Sequence, residues 1–172
     1  MNLVRIRFEM DFYSAEPLMS DWITKLKQDA NEARERQARD RDWQLRCEEI
    51  VRAKGPAIWD TAVTKIQADA AELCKAFPDD PSKQLEVTGA IKIVRPGNPH
   101  VSLTAQWVPE ILGVGVRVYS QWSNSPEAAK TDKQQITFSA TTEGDVLMSV
   151  GANRHLSVAD LSEYLLKMVL DF

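Results

Sequence analysis

The fold is decided by one long charged stretch, which over residues 14–54 is SAEPLMSDWITKLKQDANEARERQARDRDWQLRCEEIVRAK. No glycine or proline follows Pro17 in this stretch, so no residue type interrupts a helix between Leu18 and Lys54. An apolar stripe at helical spacing opens the stretch, fades where alanine is the only apolar residue, and resumes at Trp43. A helix this long and this charged cannot be buried along its whole surface. The stretch therefore predicts a helix that is either solvated or covered by a partner.

The stretch ends at Gly55-Pro56, which predicts a stop followed by a second helix. Glycine suits the position just past a helix end, and proline suits the first position of a new helix. The second helix is predicted over residues 56–77, and the prolines and aspartates of residues 78–81 end it. We expect the helices over 14–54 and 56–77 to form an antiparallel hairpin.

Period-two alternation on either side of these helices predicts strands. Residues 3–13 alternate apolar and polar side chains over their whole length, which is typical of a half-buried strand. Between residues 84 and 150 the alternation predicts a four-stranded antiparallel meander, with a polar loop over 123–133 and a hairpin turn at 143–145.

A helix over residues 158–171 closes the chain, with Ser157 as its cap and Asp160 completing a capping box. The predicted fold is therefore α+β. It contains an antiparallel sheet of about five strands, formed by the N-terminal strand and the meander, with the last helix packed on the apolar face of the sheet. We expect a single domain over residues 1–172, in which the helical hairpin of residues 14–77 is an elaboration.

Charge and composition exclude several classes of partner. The net charge is −4, which argues against a general affinity for nucleic acid or for an anionic membrane. No apolar run approaches the roughly 20 residues that span a bilayer, and the first residues resemble no targeting segment, so the expected location is cytoplasmic. The acids and bases of the long helix interleave. Glu32 precedes Arg36, and Glu35 precedes Arg39, by the four residues that favour pairing within one helix.

The residues that usually carry chemistry are few. The two histidines, His100 and His155, lack metal-ligand spacing, and neither Cys47 nor Cys74 belongs to a CxxC motif. No phosphate-binding glycine loop and no GxSxG motif is present. The sequence therefore predicts no catalytic residue, no cofactor and no metal. An enzyme whose site is assembled from distant segments stays open as a third possibility.

The tryptophans of the long helix point to an interaction. The neighbours that precede Trp43 offer almost no apolar side chain, and tryptophan and arginine are enriched at interfaces. Trp43 packs either on the second helix or on another chain. The leading hypothesis is a non-enzymatic protein–protein interaction or self-assembly module that acts through the hairpin, with a second copy as the favoured partner. The alternative is a small-molecule carrier with an apolar pocket between the sheet and the last helix. The candidate partner-binding residues are Trp22, Leu26, Arg36, Arg39 and Trp43.

Overall fold

The structure of the chain is a computed structural model that describes residues 16–89, 91–123, 125–151 and 154–171. The predicted strand over residues 3–13 lies outside the described residues. The chain divides into two compact units, Met1–Trp43 and Gln44–Phe172. The single domain predicted over residues 1–172 stays a prediction.

The long helix is one helix, so the predicted hairpin is wrong. Helix α1 runs from Glu16 to Ala76 and contains Pro56 in its interior. The reason lies in the face that this helix buries in the second unit. Its buried residues recur every three or four positions with no change of phase across the Gly-Pro step, and they are Val51, Gly55, Trp59, Ala62, Ile66 and Ala70.

Gly55 and Pro56 each fit this continuous helix for a separate reason. A Cβ atom on Gly55 would lie 2.3 Å from Cη2 of Trp107, so the missing side chain allows α1 to sit directly on that indole. Pro56 is exposed, and its missing N–H removes one helical hydrogen bond. We infer that burial of the stripe on both sides of the proline offsets that loss.

Among the described residues, the sheet has seven antiparallel strands in sequential order, rather than the predicted five or so. They are β1 Glu86–Thr88, β2 Lys92–Arg95, β3 His100–Val108, β4 Gly113–Trp122, β5 Ser125–Ala140, β6 Val146–Val150 and β7 Arg154–Leu156. Short 3-10 helices occupy Pro81–Lys83 and Pro109–Ile111. The stretch from residue 84 to residue 95 forms two strands, since the chain turns at Gly89, whose φ is +62°.

The predicted polar loop over residues 123–133 is also wrong, because most of it belongs to β5. Its residues pair with β4, as in the partners Tyr119 and Thr131, and Arg117 and Lys133. The predicted hairpin between β5 and β6 is confirmed, with Gly144 at a φ of +83° in the turn.

Helix α2 spans Val158–Leu170, close to its predicted range, and packs against β2, β3 and β7. Ser157 caps it and forms the predicted capping box with Asp160. The core lies on one face of the sheet. Leu161, Leu165 and Val169 of α2 are fully buried there. The Trp107 ring meets Phe138 edge to face, with 5.0 Å between the ring centroids.

Candidate functional site

The part of α1 in the first unit buries no side chain that the structure describes. Every residue from Asp21 to Trp43, which we call the exposed helical segment, is exposed. The apolar residues are included: Trp22 is 63% exposed, Leu26 is 48% exposed and Trp43 is 37% exposed. Of the two alternatives for Trp43, packing on the second helix of a hairpin fails with the hairpin itself.

The charges of the exposed helical segment are not paired with one another. The ion pairs found among the described residues are Lys65–Asp69 and Lys167–Glu163, and neither lies in this segment. The Nε atom of Arg36 donates to the backbone carbonyl of Glu32 at 3.3 Å, and the carboxylate of Glu32 accepts from Gln28 at 3.1 Å. The helical pairs that the sequence favours, Glu32 with Arg36 and Glu35 with Arg39, are therefore not formed. Arg36 and Arg39 are both exposed.

Four residues of the segment form one column at seven-residue spacing. They are Trp22, Asp29, Arg36 and Trp43, and all four are exposed. Seven residues are close to two helical turns, so the four side chains follow one side of the helix with a drift of about 20° per step. The column carries an aromatic ring at each end and opposite charges between them. It is therefore complementary to its own reverse, since a reversed copy places each charge opposite the other sign and each indole opposite an indole.

The interface between α2 and the sheet, where the carrier hypothesis places its pocket, is lined by fully buried side chains. Leu161, Leu165 and Val169 of α2, with Val101 and Leu103 of β3, are each at 0% exposure. This close burial is typical of a packed core. The carrier hypothesis gains no support from it.

The histidines and cysteines take positions that need no catalytic explanation. Nδ1 of His155 lies 3.1 Å from Oγ of Ser149, on neighbouring strands. Cys47 and Cys74 are half-buried free thiols, and Sγ of Cys74 accepts from the backbone N–H of Leu85 at 3.3 Å. Within the described ranges, no group of three or more potential ligands is placed to hold a metal ion.

The face of the sheet that points away from the core carries a feature that the sequence did not reveal. Lys92, Thr104, Arg117 and Lys133 are successive partners across β2, β3, β4 and β5. We call these four residues the basic row. The sequence predicts a polar loop at Lys133, so it does not indicate that this lysine lies opposite Arg117. The signal that was available begins two residues later, where Gln135 and Thr137 alternate with Ile136 and Phe138.

Comparisons with known proteins add no relative to this picture. Among the described residues, neither α1 nor α2 contains an apolar stretch long enough to cross a lipid bilayer. No protein-family model matches the chain, and neither a curated protein nor a solved structure shows significant similarity to it.

Proposed function

We propose that the chain is a non-enzymatic self-assembly module, in which the exposed helical segment of one copy packs antiparallel along the same segment of a second copy. The observation that carries this proposal is the exposure of every side chain from Asp21 to Trp43, two tryptophans included.

The physical reason for a partner is the lack of a buried face. Most of the stability of a helix in a protein comes from packing one face against other residues, rather than from the intrinsic helix propensity of its sequence. The described residues of the segment bury no face, and their side chains form no ion pair with one another. Large apolar side chains that share an exposed surface mark interaction sites. Trp22 and Leu26, which lie one turn apart, form such a surface.

The preferred partner is a second copy, because the column of four residues is complementary to itself. A two-fold axis between Glu32 and Ala33 brings Trp22 against the partner's Trp43 and Asp29 against the partner's Arg36. Each contact then occurs twice, which is the rule for a two-fold interface. The same axis lays the Leu26 side chain against the apolar stem of the partner's Arg39, while the guanidinium of that arginine stays in water.

The experiment is a charge exchange read by mass in solution. Analytical ultracentrifugation of the wild-type chain from low to high micromolar concentration should show a shift from the 19.4 kDa monomer toward twice that mass. Asp29→Arg or Arg36→Asp places like charges opposite each other and should weaken the dimer. The double variant restores opposite charges in reversed positions and should recover it.

Two further variants sharpen the result. Trp43→Ala removes an indole from both ends of the pair and should weaken the dimer more than either single charge change. Arg34→Asp is the matched control, since Arg34 is exposed on the far side of the helix from Asp29, about 140° around the axis, and the dimer should persist. A monomer at every concentration would refute self-assembly. Failure of the double variant to recover the dimer would refute the antiparallel pairing.

A further inference from the structure

The basic row places three cationic side chains in line across four strands. The register aligns Lys92 with Thr104, Thr104 with Arg117, and Arg117 with Lys133. Neighbouring strands lie about 4.8 Å apart, so the row spans roughly 14 Å from β2 to β5. The whole chain is acidic, with a net charge of −4, so the row is a local feature and not part of a generally basic surface.

The charges of the row are not neutralised by neighbouring carboxylates. In the described part of the chain, no Asp or Glu oxygen lies within 4.0 Å of a charged nitrogen of Lys92, Arg117 or Lys133. Asp132 belongs to the opposite face of β5, because it neighbours Lys133 along the strand. Glu86 lies at the β1 edge of the sheet, opposite Val94 rather than opposite a residue of the row.

Arg117 and Lys133 are direct cross-strand partners, and like charges in that position destabilise a sheet. A bound anion would relieve this repulsion.

A shallow groove runs along part of the row, beside Thr104, Arg117 and Lys133, and Lys92 is not among the residues that line it. Its volume is about 300 Å³, and Thr104, Gln106, Gly115, Arg117 and Lys133 are among the residues that line it. Gly115 lies between Gln106 and Gln135 in the register, so the missing side chain leaves a gap between two amides. A volume of this order is at the lower end of small-molecule sites.

We propose that this groove binds a small molecule that carries two or more phosphate groups. Arg117 and Lys133 would hold one phosphate between them, because guanidinium and ammonium groups form the strong charge-assisted hydrogen bonds that phosphate oxygens accept. Lys92, which lies outside the groove and one strand beyond Thr104, would meet a second phosphate that extends from it. Thr104 and Gln106 would supply neutral hydrogen bonds in the groove. The row lies in the second unit and is independent of the self-assembly proposed above.

The span of the row favours a small molecule over a nucleic acid strand. Proteins that follow a single strand combine a longer basic track with several stacked aromatic rings. The outward positions beside the row offer one aromatic ring, that of Tyr119, whose hydroxyl donates to Gln121 at 2.8 Å.

Isothermal titration calorimetry at low ionic strength tests the proposal with inorganic tripolyphosphate and with ATP as probes. Both should bind the wild-type chain. Arg117→Ala and Lys133→Ala should each weaken binding by about ten-fold, the loss of one charge-assisted bond. Gly115→Leu should weaken it by filling the groove, with far-UV circular dichroism as the check of folding. Lys130→Ala is the matched control, because Lys130 is exposed on the other face of β5. The affinity of this variant for both probes should equal that of the wild-type chain.

The outcomes separate the possible ligands. Equal affinity for the two probes would show that the phosphates alone are recognised, and tighter binding of ATP would show that the nucleoside also contributes. Either result supports the groove. Absence of binding to both probes, or an equal loss in Lys130→Ala, would overturn the proposal. So would tighter binding of a single-stranded 12-mer oligonucleotide than of ATP, since that result would assign the face to nucleic acid.

Discussion

Substitutions at Gly55 and Pro56 test why α1 continues through a sequence that predicts its end. Gly55→Ala should destabilise the protein, although alanine is favoured over glycine in a helix by about 1 kcal/mol. The added Cβ would lie 2.3 Å from Cη2 of Trp107 and 3.0 Å from Cζ2 and Cζ3 of the same ring. The ring cannot retreat freely, because it is braced edge to face against Phe138. Overpacking of this kind costs about 1–3 kcal/mol, so we expect a net loss of about 1 kcal/mol.

Pro56→Ala should have the opposite effect. Pro56 is exposed and lies in the interior of the helix, where proline is about 3 kcal/mol less favourable than alanine. Alanine also makes the unfolded chain more flexible than proline does, which lowers the gain in stability by up to about 1 kcal/mol. We therefore expect a net stabilisation of about 2 kcal/mol.

Urea unfolding followed by far-UV circular dichroism measures both changes in the free energy of unfolding. In thermal unfolding, each 1 kcal/mol should shift Tm by about 2–4 °C in a protein of this size. In a hairpin, with Gly55 just past one helix and Pro56 opening the next, Pro56→Ala would change little. An unchanged stability for that variant would refute the continuous helix. A second check combines Gly55→Ala with Trp107→Ala. Without the indole the added methyl group should stabilise, and a persistent loss would show that Trp107 is not the cause.

Two other predictions concern α2. Ser157→Ala removes the hydroxyl that accepts from the Asp160 N–H at 3.1 Å and should cost about 1 kcal/mol in urea unfolding. Hydrogen bonds from the side chain and the backbone of Ser157 lower the pKa of Asp160. Its contribution is therefore present above the unfolded pKa, about 3.9, and is lost as the pH falls through the lower folded pKa. Tm measured from pH 6 to pH 2.5 should fall less steeply for Asp160→Asn, and an identical slope would contradict this cause. Ser162→Ala removes a fully buried hydroxyl that donates to Asp69 at 2.7 Å and should cost about 1 kcal/mol. Asp69→Ala should cost more, about 1–3 kcal/mol, because it leaves that hydroxyl without its acceptor; the reverse order in urea unfolding would contradict this account.

Elements defined by local signals were predictable from the sequence. The cap of α2 needs only Ser157, Asp160 and the apolar stripe that follows them, and all of these are neighbours in the chain. The turn between β5 and β6 needs a glycine that can adopt a positive φ, and Gly144 supplies it. These choices are made within a few residues, so distant contacts do not overturn them.

Elements defined by distant contacts were not predictable. Gly55-Pro56 carries a strong local stop signal, but Trp107 and the core beneath α1 override it. Residues 125–133 are polar enough to suggest a loop, yet their backbone hydrogen bonds with β4 make them a strand. A strand that is exposed along much of its length needs no apolar alternation, so its sequence carries little of the period-two signal.

The two candidate surfaces differ in the same way, since local sequence indicates the first and only the strand register reveals the second. The sequence singled out Trp22 and Trp43 as candidate partner-binding residues, because the helix that carries them is too long and too charged to be buried along its whole surface. The basic row depends on the register of four strands, and the pairing of Arg117 with Lys133 exists only once β5 lies beside β4. A one-residue slip would send Lys133 to the other face, so no statement about this surface was possible before the register was known.

The exposed areas of the two tryptophans indicate how strong the proposed pairing can be. A tryptophan offers about 250 Å² of surface. With Trp22 63% and Trp43 37% exposed, one subunit can bury about one full indole in the pair. Two subunits then bury roughly 500 Å² of indole, which at about 25 cal/mol per Å² is worth at most about 12 kcal/mol. The cost of association, about 4–15 kcal/mol, is of the same size. The exposed charge pairs add little, about 0.2–1 kcal/mol each. The pair is therefore expected to be reversible and to depend on concentration. Single changes such as Trp43→Ala should then shift the equilibrium visibly, which a permanently associated dimer would hide.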